Sequence, residues 1–314
     1  MNLRRAAVLA ALAVSATCRA VVVSGGDGQG NTNAPSGLAE WDNVGRFNVG
    51  EGSAVYLGNR WLLTAWHVRV DNNPSQVLLA GTWYGLDTNT WTRITNASGS
   101  AADMVMVRLS NSPPLGDVTL RSTQIPDDAS LVMVGYGRSR HPTNSYWDAS
   151  WNEIYSPPYT WTGFKMFLGF NAKRWGSNTV DNAFKNVDVA SVPYSSITRS
   201  FRVTFTEGAS ADEAQAVIGD SGGAAFYWNG TAWELVGMMH NISVQTGQPW
   251  PGTVVYGNRT WAANLTTPAY YDQLVAAIPE PATMAFWAVA VAVGGFVIRR
   301  FRRPPPQEGG PADG

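Results

Sequence analysis

Ser53-Ala54-Val55-Tyr56-Leu57-Gly58-Asn59-Arg60-Trp61-Leu62-Leu63-Thr64-Ala65 is the stretch that decides the fold. An apolar strand runs into Gly58-Asn59, a turn pair, and a second apolar strand follows; that is a β-hairpin signature. The same grammar recurs outward. Asp103 to Leu109 alternates, with Val105, Val107 and Leu109 on one face. Leu131 to Tyr136 is a short apolar strand, and Phe201 to Phe205 alternates. Ala224 to Trp228 and Trp233 to Met239 flank Asn229-Gly230, a second hairpin signal. Helical spacing is confined to the C-terminal run. Short strands between Gly, Asn and Pro turns predict an all-β fold of the sandwich or barrel kind. Ser110 to Asp117, containing Pro113-Pro114-Leu115-Gly116, reads as a linker between two halves. Residues 138–200, rich in aromatics, Asn and Ser, read as long surface loops, and no solenoid period repeats.

Both ends of the 314-residue chain read as addresses. Residues 1–20 carry Arg4 and Arg5, an apolar run from Ala6 to Ala16, and small residues, the layout of a signal peptide cut after Ala16 or Ala20. Residues 21–41 form an N-terminal segment and 42–277 the main domain. At the far end, Ile278-Pro279-Glu280-Pro281 precedes an apolar run from Ala282 to Ile298, then Arg299, Arg300, Arg302 and Arg303. Residues 282–298 are near the lower length limit for a single membrane-spanning helix, and the basic cluster would stay cytoplasmic, leaving the body outside. Residues 304–314 are expected to be a disordered tail.

The body has a globular composition, with 45% hydrophobic and 14% charged residues over the whole chain. Setting aside seven basic and three acidic residues at the ends leaves 15 basic and 20 acidic, a net charge of −5. A nucleic-acid partner therefore has no electrostatic support. The single cysteine, Cys18, lies in the signal region, so the exported body has no disulfide to rely on. Packing must hold it, and 14 tryptophans supply large apolar contacts. Nothing points to an oligomer, so a monomer is expected.

Three segments carry the chemistry: Thr64-Ala65-Trp66-His67-Val68 at a strand end, Ala102-Asp103-Met104-Val105-Met106-Val107 opening a strand, and Gly219-Asp220-Ser221-Gly222-Gly223 in a turn before a strand. A serine hydroxyl needs a base to become a nucleophile. It also needs backbone N–H groups aimed at the developing oxyanion. Glycines beside Ser221 permit the tight turn and leave room for substrate, and the amides of Gly219 and Ser221 can converge on one point. His67 is one of three histidines, with His141 and His240. Each motif alone is commonplace. Their conjunction in the order His, Asp, Ser is what carries weight.

Those contexts resemble the chymotrypsin/trypsin-like serine proteases. Thr64-Ala65-Trp66-His67 is similar to the family's Thr-Ala-Ala-His, Asp103 to Val107 to its Asp-Ile-Ala-Leu-type strand, and Gly219 to Gly223 is its Gly-Asp-Ser-Gly-Gly turn unchanged. Leu131 to Gly137 also looks like a family strand. The resemblance covers about residues 42–275. It implies two six-stranded β-barrels, about 42–120 and 121–277, with the active site between them. It implies Ser221 as nucleophile, His67 as base, Asp103 as its orienter and the Gly219 and Ser221 amides as oxyanion hole, with no metal or organic cofactor. It also implies an endopeptidase acting on protein or peptide through an acyl-enzyme. The family's pocket-floor position falls on neutral Gln215, which argues against Arg/Lys specificity. His240 falls near the position of a serine beside the buried aspartate, where it would contact Asp103 or line the pocket. In many members of the family the aspartate at the position of Asp220 pairs with a new N-terminus; here signal cleavage after Ala20 would supply Val21, or Asp220 is supported internally and no activation cut is needed. The tail resembles the PEP-CTERM sorting signal of Gram-negative bacteria. That resemblance implies an exosortase-type partner cutting near Pro279-Glu280-Pro281, transient membrane anchoring, and delivery to the envelope or extracellular matrix. Two rival functions share these residues: a catalytically weak protease-like scaffold for matrix binding or adhesion, and an esterase using the same triad.

Overall fold

The structure, a computed structural model, describes residues 21–170 and 172–278. The expected signal peptide, the sorting motif Pro279-Glu280-Pro281, the apolar helix 282–298 and the tail lie outside the described residues. Among the described residues no helix is long and apolar enough to cross a membrane.

In chain order the strands begin with β1 (Val22–Val23), β2 (Val44–Phe47), β3 (Ser53–Gly58) and β4 (Trp61–Thr64). Helix α1 (Trp66–Asn72) follows, then β5 (Gln76–Leu79), β6 (Thr82–Thr95) and β7 (Ala101–Leu109). Next come β8 (Ser130–Gly135), β9 (Arg138–Arg140), β10 (Ser145–Trp147), β11 (Trp161–Phe170), β12 (Arg174–Thr179), β13 (Val187–Ser191) and β14 (Ser196–Thr204). The last are β15 (Ala214–Gln215), β16 (Ala224–Trp228), β17 (Trp233–Ser243), β18 (Thr253–Val255), β19 (Arg259–Asn264) and helix α2 (Pro268–Ala277).

Strands β2 to β7 close into a six-stranded antiparallel barrel, in the order β2-β3-β4-β7-β6-β5. The hairpin that decided the fold is there, with its turn one residue later than the sequence suggests. Gly58 pairs Trp61, and Asn59 and Arg60 carry the positive φ values, 45° and 66°, that a two-residue turn with matching twist requires.

The second half departs from a closed six-stranded barrel. Its sheet has seven strands, in the order β12-β8-β16-β17-β19-β14-β13. The outer edge of β14 is shared: Ser196 to Ser200 pair with β13, which leaves Val203 alone to bridge Val180, just past β12. The sheet curls almost shut and stops there. One apolar cluster joins the two halves, from Val55, Leu63 and Met104 in the barrel to Val134, Phe226 and Met238 in the sheet.

Residues 138–200 are also not mainly loops. They contain β9 to β13 and the start of β14. Their inward positions are often small or polar, as in β12, where Arg174, Gly176 and Asn178 are the buried ones, so no apolar alternation betrays the strand. Two short helices also escape periodicity: α1 has 7 residues and α2 has 10, with Pro268 in its first turn.

The N-terminal segment is built in. β1 pairs β15 with Val22 opposite Gln215. The buried Arg140 guanidinium donates to the carbonyls of Val23, Ser24, Gly25 and Gly26, and sits 3.9 Å from the Phe164 ring centre. A buried cation needs such full pairing, and here the pairing fastens residues 23–26 to β9.

Candidate active site

His67 stands in the first turn of α1, directly after β4. N–H groups in a first turn lack helical partners. Asp103, on the neighbouring β7, supplies one: its Oδ1 accepts the His67 backbone N–H at 2.9 Å, while its Oδ2 lies 2.8 Å from His67 Nδ1. One carboxylate thus caps the helix and aims the ring. With Nδ1 directed at Asp103, Nε2 is the ring nitrogen left for a substrate-side proton. The Asp103 side chain is 1% exposed and the His67 side chain 19%. Burial opposes ionisation of Asp103. The imidazole of His240 at 3.7 Å and the hydrogen-bonded imidazole of His67 override it and hold the carboxyl well below the usual range. Tyr194 packs its ring 5.5 Å from that of His67 and donates its hydroxyl to Asp71 at 2.7 Å. That bond, with burial, pushes the phenol up to about 12.

The turn carrying Ser221 is fixed by its peptide planes. The Ile218 carbonyl accepts from the Arg138 N–H at 2.9 Å, and the Asp220 carbonyl from the Gly223 N–H at 2.7 Å. In a trans peptide the N–H points opposite the carbonyl. The Gly219 and Ser221 amides therefore face away from those partners, and neither donates to a protein acceptor among the described residues. Both residues line a cavity of about 580 Å³ together with His67, His240, Ile242 and Trp250. Gly219 and Gly222 adopt φ of 96° and 89°, where side chains are strained. A Cβ on Gly222 would also lie 2.0 Å from the Ser53 carbonyl oxygen. The Ser221 hydroxyl has no hydrogen bond to His67; in a substrate-free site this contact is commonly long and tightens on binding.

Ser53, which sequence reasoning passed over, ties the Ser221 turn to the barrel. Its N–H donates to the Ser221 carbonyl and its hydroxyl to the Gly219 carbonyl, both at 2.8 Å. The same oxygen accepts from the Tyr136 N–H at 3.0 Å. Asp220 is wholly buried beneath the turn. It accepts from the N–H groups of Gly137, Val217 and Val21, the last at 3.3 Å. Burial pushes its carboxyl up to about 7, against the pull of those bonds.

The structure thus brings His67, Asp103, Ser221, Gly219 and His240 together. It does not bring Gln215, expected at a pocket floor, to the cavity lining. Gln215 is 1% exposed in β15, enclosed by its pairing with β1, and its side-chain amide has no hydrogen-bond partner among the described residues. Among the described residues, no group of three or more His, Cys, Asp or Glu side chains is placed to hold a metal ion.

No family model and no curated protein matches the sequence. The chain is similar to solved structures of Rv3671c from Mycobacterium tuberculosis H37Rv. One is a serine-to-alanine mutant in an inactive form, at 12% identity and a TM-score of 0.46, over 79% of this chain and 94% of that one. Another, described as the Rv3671c protease in an inactive form, has 13% identity and a TM-score of 0.44, over 77% and 91%.

Proposed function

We propose that the protein is a serine endopeptidase of the chymotrypsin-like kind, with Ser221 as nucleophile, His67 as general base and Asp103 as the group that holds the base. One observation carries the reading. A histidine doubly held by a buried carboxylate shares a cavity with a serine whose turn presents two amides that have no protein acceptor among the described residues. In that arrangement Ser221 Oγ attacks a carbonyl carbon and His67 Nε2 takes the hydroxyl proton. The imidazolium faces ionised Asp103, and the Gly219 and Ser221 amides receive the oxyanion. His67 then returns the proton to the leaving amine, and water repeats the cycle on the acyl-enzyme.

Cleavage after non-basic residues is part of the proposal. Ile218, Ile242 and Trp250 give the cavity an apolar wall. Its carboxylates are engaged elsewhere, Glu51 with Arg138 and Asp71 with Tyr194. Hydrolysis of casein and of a peptide library, lost in Ser221→Ala, tests the activity; a strong preference for Arg would sink the specificity.

We also propose export, with removal of residues 1–20 and PEP-CTERM-type sorting at Pro279-Glu280-Pro281. The second part rests on sequence alone. Cleavage after Ala20 would convert the Val21 nitrogen, 3.3 Å from Asp220 Oδ1, into an ammonium facing a buried carboxylate.

A further inference from the structure

Asp103 has a second imidazole beside it. His240 Nδ1 stands 3.7 Å from Asp103 Oδ2, the same oxygen that faces His67 Nδ1. The His240 side chain is 0% exposed. Its orientation has a structural cause. β17 pairs β19 with Met239 opposite Ala262 and Asn241 opposite Trp261, so His240 is the extra residue of a β-bulge. A bulge re-aims one side chain without unpairing the strand, and this one turns His240 towards β7.

The other ring nitrogen fixes the proton inventory. His240 Nε2 lies 2.8 Å from Ser200 Oγ, and Ser200 Oγ donates to the Thr198 carbonyl at 2.9 Å. While Ser200 donates to Thr198, Nε2 must be the donor. A neutral ring would then aim a bare Nδ1 lone pair at a carboxylate in a site with no water-exposed surface, an unfavourable arrangement. Two arrangements avoid it. In one, both nitrogens carry protons. In the other, the Ser200 hydroxyl rotates to donate to Nε2, and the ring's single proton sits on Nδ1. Both place a proton on Nδ1.

We infer that His240 is a positioning residue that holds an Nδ1 proton against Asp103, so that the triad carboxylate sits between two imidazoles, with Ser200 as the rotor that sets the charge of the second. This deepens the protease reading and rests on it. The charged or titratable neighbours are few. Asp103 comes from β7 and His67 from α1, and Asp103 in turn acts through charge on Arg93 of β6 and on Tyr194. The facing β19 residues, Ala262 and Trp261, carry no charge. A donor on Asp103 spreads the carboxylate's negative charge, so less of it is concentrated on His67. The cost is weaker support for the imidazolium in the transition state.

The test separates the two ring nitrogens. Asn places its amide nitrogen where His Nδ1 sits, and Gln places its own where Nε2 sits. His240→Gln should therefore lose the contact to Asp103 and His240→Asn should keep it. The readout is the rate of covalent labelling by a fluorophosphonate probe from pH 5 to 9. In His240→Gln the acid limb should move to higher pH, with the rate at pH 6 falling about tenfold, and His240→Asn should recover most of that loss. Equal profiles for the two variants would overturn the inference. A second measurement does not depend on activity. In the 15N-histidine-labelled wild-type protein, His240 should show a protonated Nδ1 at pH 7. A proton on Nε2 alone would overturn the inference, even if the protease reading stands. A protonated Nδ1 in a protein the probe never labels would overturn the protease reading and leave the placement of the proton intact.

Discussion

The buried carboxylate of Asp220 makes N-terminal processing measurable as stability. Compare two forms of the protein, one beginning at the free amine of Val21 and one keeping Ala20 with its terminus acetylated. In the acetylated form Asp220 receives only amide N–H groups, and burial holds its carboxyl up at about 7 against an ordinary 3.8. A raised carboxyl contributes stability that is complete below 3.8 and is lost as pH rises to about 7. At about 1.4 kcal/mol per pH unit, that loss is on the order of 4 kcal/mol, a large part of a typical folding free energy. In the Val21 form the ammonium compensates the ionised carboxylate, so the loss in this window should be largely absent. The benefit should persist until the amine, ordinarily near 8 and raised by the pairing, gives up its proton (about pH 8 and above). Urea unfolding of both forms at pH 4, 7 and 9.5 reads the difference directly. Other titrating groups are common to both forms and cancel. The gap should be near zero at pH 4, widest at about pH 7, and narrowing by pH 9.5. Parallel curves, with a constant gap or none, would refute the pairing of Val21 with Asp220.

Other outcomes follow from the same contacts. Asp103→Asn should leave the fold in place and lower the labelling rate of Ser221 by about 10⁴, the scale known for this substitution in triads. Wild-type stability from Asp103, whose carboxyl is held low, should be intact above 3.8 and fall only as pH drops further, which acid unfolding of the two proteins compares. Ser53→Ala removes a donor to the Gly219 carbonyl and an acceptor for Tyr136, and should cost about 2–4 kcal/mol in thermal unfolding while slowing labelling. Gln215→Met replaces a buried, unbonded amide by an isosteric apolar chain; stability should stay within about 1 kcal/mol or rise, and the cleavage preference should not change.

The parts legible in the sequence are those where chemistry and local backbone coincide. Gly219 to Gly223 announce themselves because the turn needs positive φ at Gly219 and space at Gly222. His67 and Asp103 are readable because each lies at a strand boundary with an apolar pattern. Ser53 is not readable, since a serine opening an apolar strand carries no mark of what it will bond 166 residues away. The bulge that aims His240 is a property of pairing between β17 and β19, and neither strand shows it alone. Gln215 falls on the family's pocket-floor position, and position along the chain cannot foresee that β1 covers it. The strands in residues 138–200 were hidden because their buried positions are filled by Arg140, Arg174 and Asn178, which are held by hydrogen bonds.

The central claim is that Ser221 is an activated nucleophile. Treat the folded protein with a fluorophosphonate probe at pH 8, digest it, and locate the adduct by mass spectrometry. One adduct is expected, on Ser221, lost in His67→Ala and in Ser221→Ala. Folded protein beginning at Val21 that takes no label, or takes it on another serine, would contradict it.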